Sequence, residues 1–381
     1  MGPFSKLIQE LTQVVEGQMF LGYRNQWLCA RAVAAAIVLL VSAVANAQGS
    51  ITLYGRVAGG VDYMNKIATG NGQTGDLLRY GSNQWGVSLW GLRAKEDLGD
   101  GLSAVMNLES AFSSGDGQGA GLGLFSRYAV VGLSSNTYGT LWLGRAMGLP
   151  DSEGWTVDPM GMQAISIGTL QNGRSWGSRG NAITYTSPDW GGLSFRAQAG
   201  LNGAAGNFNA GRQLAGSLSY ENGPILIKGI YEEIRDAKGE FTNLYTASRL
   251  YEAGAAYVVG HLKLFGGYSL TRSGGATVAD ADNPMAANKQ QQFWLGANYQ
   301  VSPALTLIGG AYRAIRNNSA GNGTLLALGA NYFFSKRTLL YGTVGTVMNG
   351  GNAAFSVEAG SNRPLAGASQ QGIYTGIVHR F

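Results

Sequence analysis

Residues 261–270 read HLKLFGGYSL, with Leu262, Leu264, Gly266, Tyr268 and Leu270 on one parity and His261, Lys263, Phe265, Gly267 and Ser269 on the other. A period of two with one apolar face marks an extended strand whose faces meet different surroundings. The same phase recurs elsewhere. Ile225, Ile227, Gly229 and Tyr231 alternate with Leu226, Lys228, Ile230 and Glu232; Leu193, Phe195, Ala197 and Ala199 alternate with Ser194, Arg196 and Gln198; Phe293, Leu295, Ala297, Tyr299 and Val301 alternate with Trp294, Gly296, Asn298 and Gln300. Local alternation suits a soluble β-sandwich as well as a membrane barrel, so the rhythm of the segments has to separate the two.

Working outward, short connectors rich in turn residues fall at 96–101, 134–139, 188–192, 222–224, 260, 302–303 and 335–336. Longer polar stretches lie between them, at 64–83, 113–124, 147–179, 201–212, 233–246, 273–288, 316–321 and 349–369. Seven short turns and eight long loops separate sixteen strands. That asymmetry predicts an all-β, 16-stranded antiparallel transmembrane β-barrel with short periplasmic turns and long extracellular loops. An even count lets the last strand pair with the first and leaves no open edge. Sixteen strands leave a water-filled lumen rather than a packed interior.

The N-terminal stretch and the composition agree with this. Residues 32–45 (AVAAAIVLLVSAVA) form a short apolar run preceded by Arg24 and Arg31 and followed by Ala45-Asn46-Ala47. These are the parts of a secretory signal, and the run is short of the roughly 20 apolar residues a spanning helix needs. Residues 1–47 are therefore expected to be a cleaved leader and 48–381 the barrel, with Met1 and Met19 both open as the start. The whole chain carries 27 Lys+Arg against 22 Asp+Glu, and the leader holds three of the basic and two of the acidic residues, leaving a net charge of +4 beyond it. The only cysteine, Cys29, lies in the leader. Thiolate metal sites and disulfides are thus excluded from the remainder. Charged residues make up 13% of the chain, against about 25% in a typical soluble domain.

Strand phase nominates lumen residues. Around 51–63, Ile51, Leu53, Val57, Val61 and Tyr63 share one face, so Thr52, Tyr54, Arg56 and Asp62 point inward. Around 102–109, Leu102, Ala104, Met106 and Leu108 point outward, and Asn107 and Glu109 inward. Further along, Trp142 is expected outward and Arg145 inward. Charges near the lipid midplane cost about 2–4 kcal/mol, which favours the lumen for Arg56, Arg93, Arg127, Arg145 and Arg179. The longest loop, 147–179, carries Asp151, Glu153 and Asp158; a loop this long without regular structure is usually functional.

Five ordered motifs give a family resemblance. QGSITLYGRVAGGVDY, WGLRAKEDLGDGLSAVMNLES, FSRYAVVGLSSNTYGTLWLGRA, NAITYTSPDWGGLSF and the terminal GIYTGIVHRF resemble, in order, segments of the trimeric general porins of β-proteobacteria, over nearly all of residues 48–381. The resemblance implies an outer-membrane channel for passive diffusion of small hydrophilic solutes and ions. It implies a homotrimer, contact with outer-membrane lipids and lipopolysaccharide, and Phe381 as a signal read by the assembly machinery. Small residues Gly55, Gly59, Ala104 and Gly132 are expected on the outer face, where they would let neighbouring walls approach. The resemblance also implies that 147–179 folds inward as the constriction, its acids facing wall arginines, and that Arg127 lines the pore. The sequence departs from the family at Leu89 and Thr184, where related chains commonly carry arginine. Only a weak anion preference is therefore expected.

Other classes have little support. The two histidines, His261 and His379, sit in no nucleophile or metal motif, so neither enzyme chemistry nor a cofactor is expected. Dispersed arginines do not suggest nucleic acid. A substrate-specific channel would need an aromatic ladder or a dense basic track. An adhesin or plugged structural barrel would need additional chain for the plug.

Overall fold

The computed structural model describes residues 49–120, 123–274 and 277–381; the leader expected at 1–47 lies outside them. The described chain is almost all strand. In order the strands are β1 (Ser50–Gly70), β2 (Gln73–Gly81), β3 (Ser88–Gly99), β4 (Leu102–Phe112), β5 (Tyr128–Ser135), β6 (Gly139–Met147), β7 (Ser178–Thr186), β8 (Leu193–Gly200) and β9 (Gln213–Asn222). Then follow β10 (Ile225–Ile234), β11 (Arg249–Val259), β12 (Leu262–Arg272), β13 (Lys289–Ser302), β14 (Leu305–Arg316), β15 (Asn322–Phe333), β16 (Thr338–Gly350) and β17 (Gln370–Arg380). A short α-helix, α1 (Leu149–Gly154), and a single 3-10 turn (Thr169–Gln171) interrupt the series.

From β3 to β17 each strand pairs antiparallel with the next in sequence, and β1 closes the ring on β17 with Arg56 opposite Arg380 and Gly60 opposite Gly376. The seventeen segments fill sixteen places in the wall, because β2 and β3 both pair with β1 and share one place. Closure of β1 on β17 leaves the sheet no free end, the condition for crossing a bilayer with strands. No helix among the described residues is long and apolar enough to cross a membrane.

The two faces are inverted relative to a soluble protein. Leu295 is 70% exposed and Leu328 65% exposed on the outside, while Gln213, Glu232, Gln290 and Gln292 are buried on the inside. Outward apolar side chains meet lipid at no desolvation cost, and inward polar ones meet water or one another.

Three expectations need correction. The stretch 64–83 is not a long loop: β1 runs on to Gly70 and returns as β2 through Asn71-Gly72, both at positive φ (49° and 74°). That is the two-residue turn whose twist suits a hairpin. Trp142 faces inward with Thr184 and Arg196, while Leu141 and Leu143 are exposed. The register slips between Gly144 and Ala146, and Gly144 has φ +124°, so a bulge puts both Trp142 and Arg145 in the lumen. Gly132 also faces inward, since Val131 and Leu133 are exposed on either side of it. Gly55 and Gly59 do lie on the outer face, but the Phe381 ring covers Gly55 and the Tyr80 hydroxyl covers Gly59.

Candidate functional site: the lumen and the segment inside it

Between β6 and β7 the chain lies against the inner wall. Its backbone oxygens are taken up by wall side chains: Trp294 Nε1 donates to Val157 O (2.9 Å), Gln292 Nε2 to Ile167 O (2.9 Å) and Gln290 Nε2 to Leu170 O (2.8 Å). Buried backbone polar groups require such partners. The wall makes room with glycine. A β-carbon on Gly296 would lie 2.4 Å from Pro159 Cγ, and one on Gly254 2.7 Å from a Val157 methyl. Leu149, Val157, Met160, Ile165, Ile167 and Leu170 are all buried. Their apolar surface attaches the segment to the wall in addition to the hydrogen bonds.

Charges fix both ends of the segment. On α1, the Glu153 carboxylate accepts from Arg196 Nη1 and Lys228 Nζ, each at 2.5 Å. Burial raises the Glu153 pKa, but Lys228 and then Arg196 more than reverse it and hold the carboxyl below its usual range. At the far end, Glu232 on β10 accepts from Arg174, from Arg179 Nε (3.0 Å) and Nη2 (3.1 Å), and from Gln213 Nε2 (2.7 Å). Glu232 and Arg174 side chains are fully buried there. In the middle, Asp158 takes the Tyr312 hydroxyl (2.6 Å) and the N–H groups of Met160 (3.3 Å) and Met162 (2.7 Å). Burial pushes its carboxyl up to about 6 against the pull of these donors. Asp158 is 1% exposed, so it holds a turn to the wall.

What remains open is a space of about 1660 Å³ bounded on one side by residues 151–164 and on the other by Arg56, Arg93, Glu109, Arg127, Arg145 and Arg380. Seven of the nominated charged residues line it, namely Arg56, Arg93, Glu109, Arg127, Arg145, Asp151 and Asp158, and they divide by partner. Arg127 Nε donates to Glu109 Oε1 (2.5 Å), whose other oxygen accepts from Tyr54 (2.8 Å). Arg179 belongs to Glu232 instead. Among the described residues, Arg56, Arg93 and Arg145 have no carboxylate within salt-bridge distance. Arg56 Nε donates to Val87 O (2.7 Å), Arg145 Nε to Ser126 O (2.7 Å), and the Arg93 guanidinium lies 4.1 Å from the Tyr54 ring centre. Asp151 faces them. Its carboxylate accepts from Gly177 N–H (2.8 Å), and burial raises its pKa despite that bond and the charges of Arg127, Arg179 and Arg56.

The residues that sequence reading missed are Arg380, Arg196, Lys228, Glu232 and Arg174. Phase carried a signal for the middle three, since Arg196 alternates with Phe195, and Lys228 and Glu232 with Ile227 and Tyr231. Arg380 had none, because its place beside Arg56 depends on ring closure. Leu89, opposite Arg56, and Thr184 are inward and buried, so the two neutral replacements do face the lumen side.

Comparison with known proteins matches this architecture. A family model for Gram-negative porins covers residues 32–352. The chain is 31% identical to outer membrane porin protein 32 of Delftia acidovorans, over 90% of this chain and 97% of that one. It is 27% identical to an outer membrane porin protein of Bordetella pertussis, over 91% and 98% respectively. Among solved structures, an anion-selective porin from Comamonas acidovorans superposes with a TM-score of 0.74 at 25% identity, covering 88% of this chain and all of that one. A closed 16-stranded wall around a polar lumen, matched by a family model over most of its length, makes this chain a member of the Gram-negative porin family, an outer-membrane general diffusion channel.

Proposed function

We propose that residues 147–179 are the constriction loop of this channel and that the pore it leaves passes small hydrophilic solutes with a weak preference for anions. The observation that carries the reading is the imbalance of free charge. Among the described residues, Arg56, Arg93, Arg145 and Arg380 bound the open space without carboxylate partners, whereas Arg127, Arg179, Arg196 and Lys228 each contact a carboxylate, Arg196 and Lys228 sharing Glu153. Against them stand Asp151 and Glu221, the lining acids that have no salt-bridge partner among the described residues and make no hydrogen bond to Tyr312 as Asp158 does. Fixed charges around a narrow lumen bias which ions enter. The bias is weak because the lumen is wide and the Debye length is about 10 Å at 0.1 M salt. The solved porin described as anion-selective points the same way.

Reversal potentials across planar bilayers in a potassium chloride gradient test this. They should fall on the chloride side and shrink as salt rises. Asp151→Asn should move them further toward chloride. A cation-preferring channel would overturn the reading.

The working form is a homotrimer, seated in lipid and lipopolysaccharide, exported after removal of residues 1–47 and inserted by machinery that reads Phe381. The broad apolar outer face, including Ile51, Leu53 and Ile373, supports a membrane and subunit environment. Mass measurement in mild detergent should give three chains, and N-terminal sequencing should begin near Gln48. A monomer alone would count against the trimer.

A further inference from the structure

The wall is broken between β2 and β3. Arg56 pairs with Leu89 and Gly60 with Gly81, so eight residue steps on one strand face four on the other. The connecting residues 82–87 leave the sheet and are held off it by specific bonds. Ser88 N–H donates to Asn83 Oδ1 (2.8 Å), Gln84 donates to the buried Asp62, and Arg56 Nε donates to Val87 O (2.7 Å). The same residues also touch the segment inside the lumen, through Ala164 N–H to Gln84 O (3.0 Å).

Trp85 is the side chain this detour delivers. Its Nε1 donates to Asn331 Oδ1 on β15 at 3.2 Å. In ring order β15 lies four strands from the broken one, roughly 19 Å along the wall at about 4.8 Å per strand. The indole therefore cuts across the concave interior. Its ring centre lies 5.7 Å from the Arg56 guanidinium carbon and 5.1 Å from that of Arg380. Those two arginines are opposite each other across β1 and β17 and share the inner face. Like charges so placed repel, and an aromatic ring near both offsets part of that repulsion.

We propose that residues 82–87 form a second constriction element, joined to the 147–179 loop through Gln84 and Ala164, and that Trp85 is the specificity-determining residue that sets which anions pass. It removes cross-section beside the unpaired arginine pair and shields that pair. Chloride and small carboxylates pass, and bulky planar carboxylates are retarded. The inference rests on the level of the 147–179 loop being the narrow part of the lumen.

The test uses the full channel in planar bilayers, with chloride, acetate and benzoate as probe anions. Trp85→Ala should raise chloride conductance and raise the benzoate-to-chloride permeability ratio by about threefold or more. Trp85→Phe keeps a ring and should stay near the unmodified value. Trp85→Leu serves the same test should the alanine variant fail to assemble, with a smaller rise. A benzoate-to-chloride ratio unmoved by removal of the ring overturns the inference. Asp151→Asn separates the two failures. If it shifts the reversal potential while the Trp85 variants are silent, this inference alone falls; if all are silent, the constriction has been misplaced and both fall.

Discussion

Replacing Glu232 by glutamine should loosen one end of the inner segment and not the other. Glu232 is the single acid shared by Arg174 of the segment and Arg179 of the wall, and its side chain and that of Arg174 are fully buried. The amide keeps one acceptor but turns an N–H₂ toward guanidinium donors and leaves two cations without a counter-charge. Breaking a buried pair by removing one partner costs about 3–5 kcal/mol. At about 1.4 kcal/mol per decade, that lowers the ratio of held to released conformations by roughly 10²–10⁴. Glu153 still holds α1 through Arg196 and Lys228, so only the part near Arg174 is released. Single-channel records of Glu232→Gln should therefore show added current flicker, and the reversal potential should move toward chloride because one negative charge is gone. Adding Arg174→Met should quieten the trace again, because one arginine beside a neutral amide is a smaller offence than two. Records as quiet as the parent's, with an unchanged reversal potential, would refute the idea that this carboxylate is the tether.

Three further outcomes follow from the same geometry. Asp158 has its carboxyl raised from 3.8 to about 6, so between those values the folded chain holds a proton that the unfolded chain lacks. Its contribution is then complete at low pH and lost as pH climbs through 6, by at most about 3 kcal/mol at about 1.4 per unit; Asp158→Asn should abolish any change in channel noise between pH 5 and 7. Arg127→Ala leaves Glu109 as a free carboxylate in the lumen, so reversal potentials should show a weaker anion preference, with no loss of preference counting against the charge assignment. Phe381 exchanges two backbone hydrogen bonds with Gly55 (3.1 and 3.2 Å) and covers its outer side, so Phe381→Ala should lower the yield of heat-modifiable barrel on gels.

Much of the wall was legible because a strand between lipid and lumen writes its orientation into every second residue. Ile225 and Ile227 against Lys228 and Glu232 is such a case, and the inward places of Tyr54, Arg56 and Glu109 follow from phase alone. Phase fails where the backbone breaks period. The bulge at Gly144 separates the phase of Trp142 from that of Arg145, and the cue for it was the Leu141/Leu143 alternation ending on a glycine. At 64–83 polar residues masked a hairpin, although Asn71-Gly72 was the signal for one. The charge pairing was the least readable part. Whether an arginine is free or neutralised depends on partners far away in sequence, such as Glu232 for Arg174 and Arg179, and Arg380 for Arg56. Those contacts exist only once the segment is seated and the ring is closed.

Closure also dictates an order of events during biogenesis. The β1–β17 seam joins residues such as Asn65 and Gln371, which are 306 positions apart. Contacts at such separation are slow to form, because the intervening chain must be brought together first. Until the final strand arrives, β1 offers unpaired backbone groups along Arg56–Met64, a template for any other extended chain. A polypeptide of this design has to be kept from its own kind between synthesis and insertion, so its yield in a cell should be governed by escort capacity as much as by the stability of the finished ring.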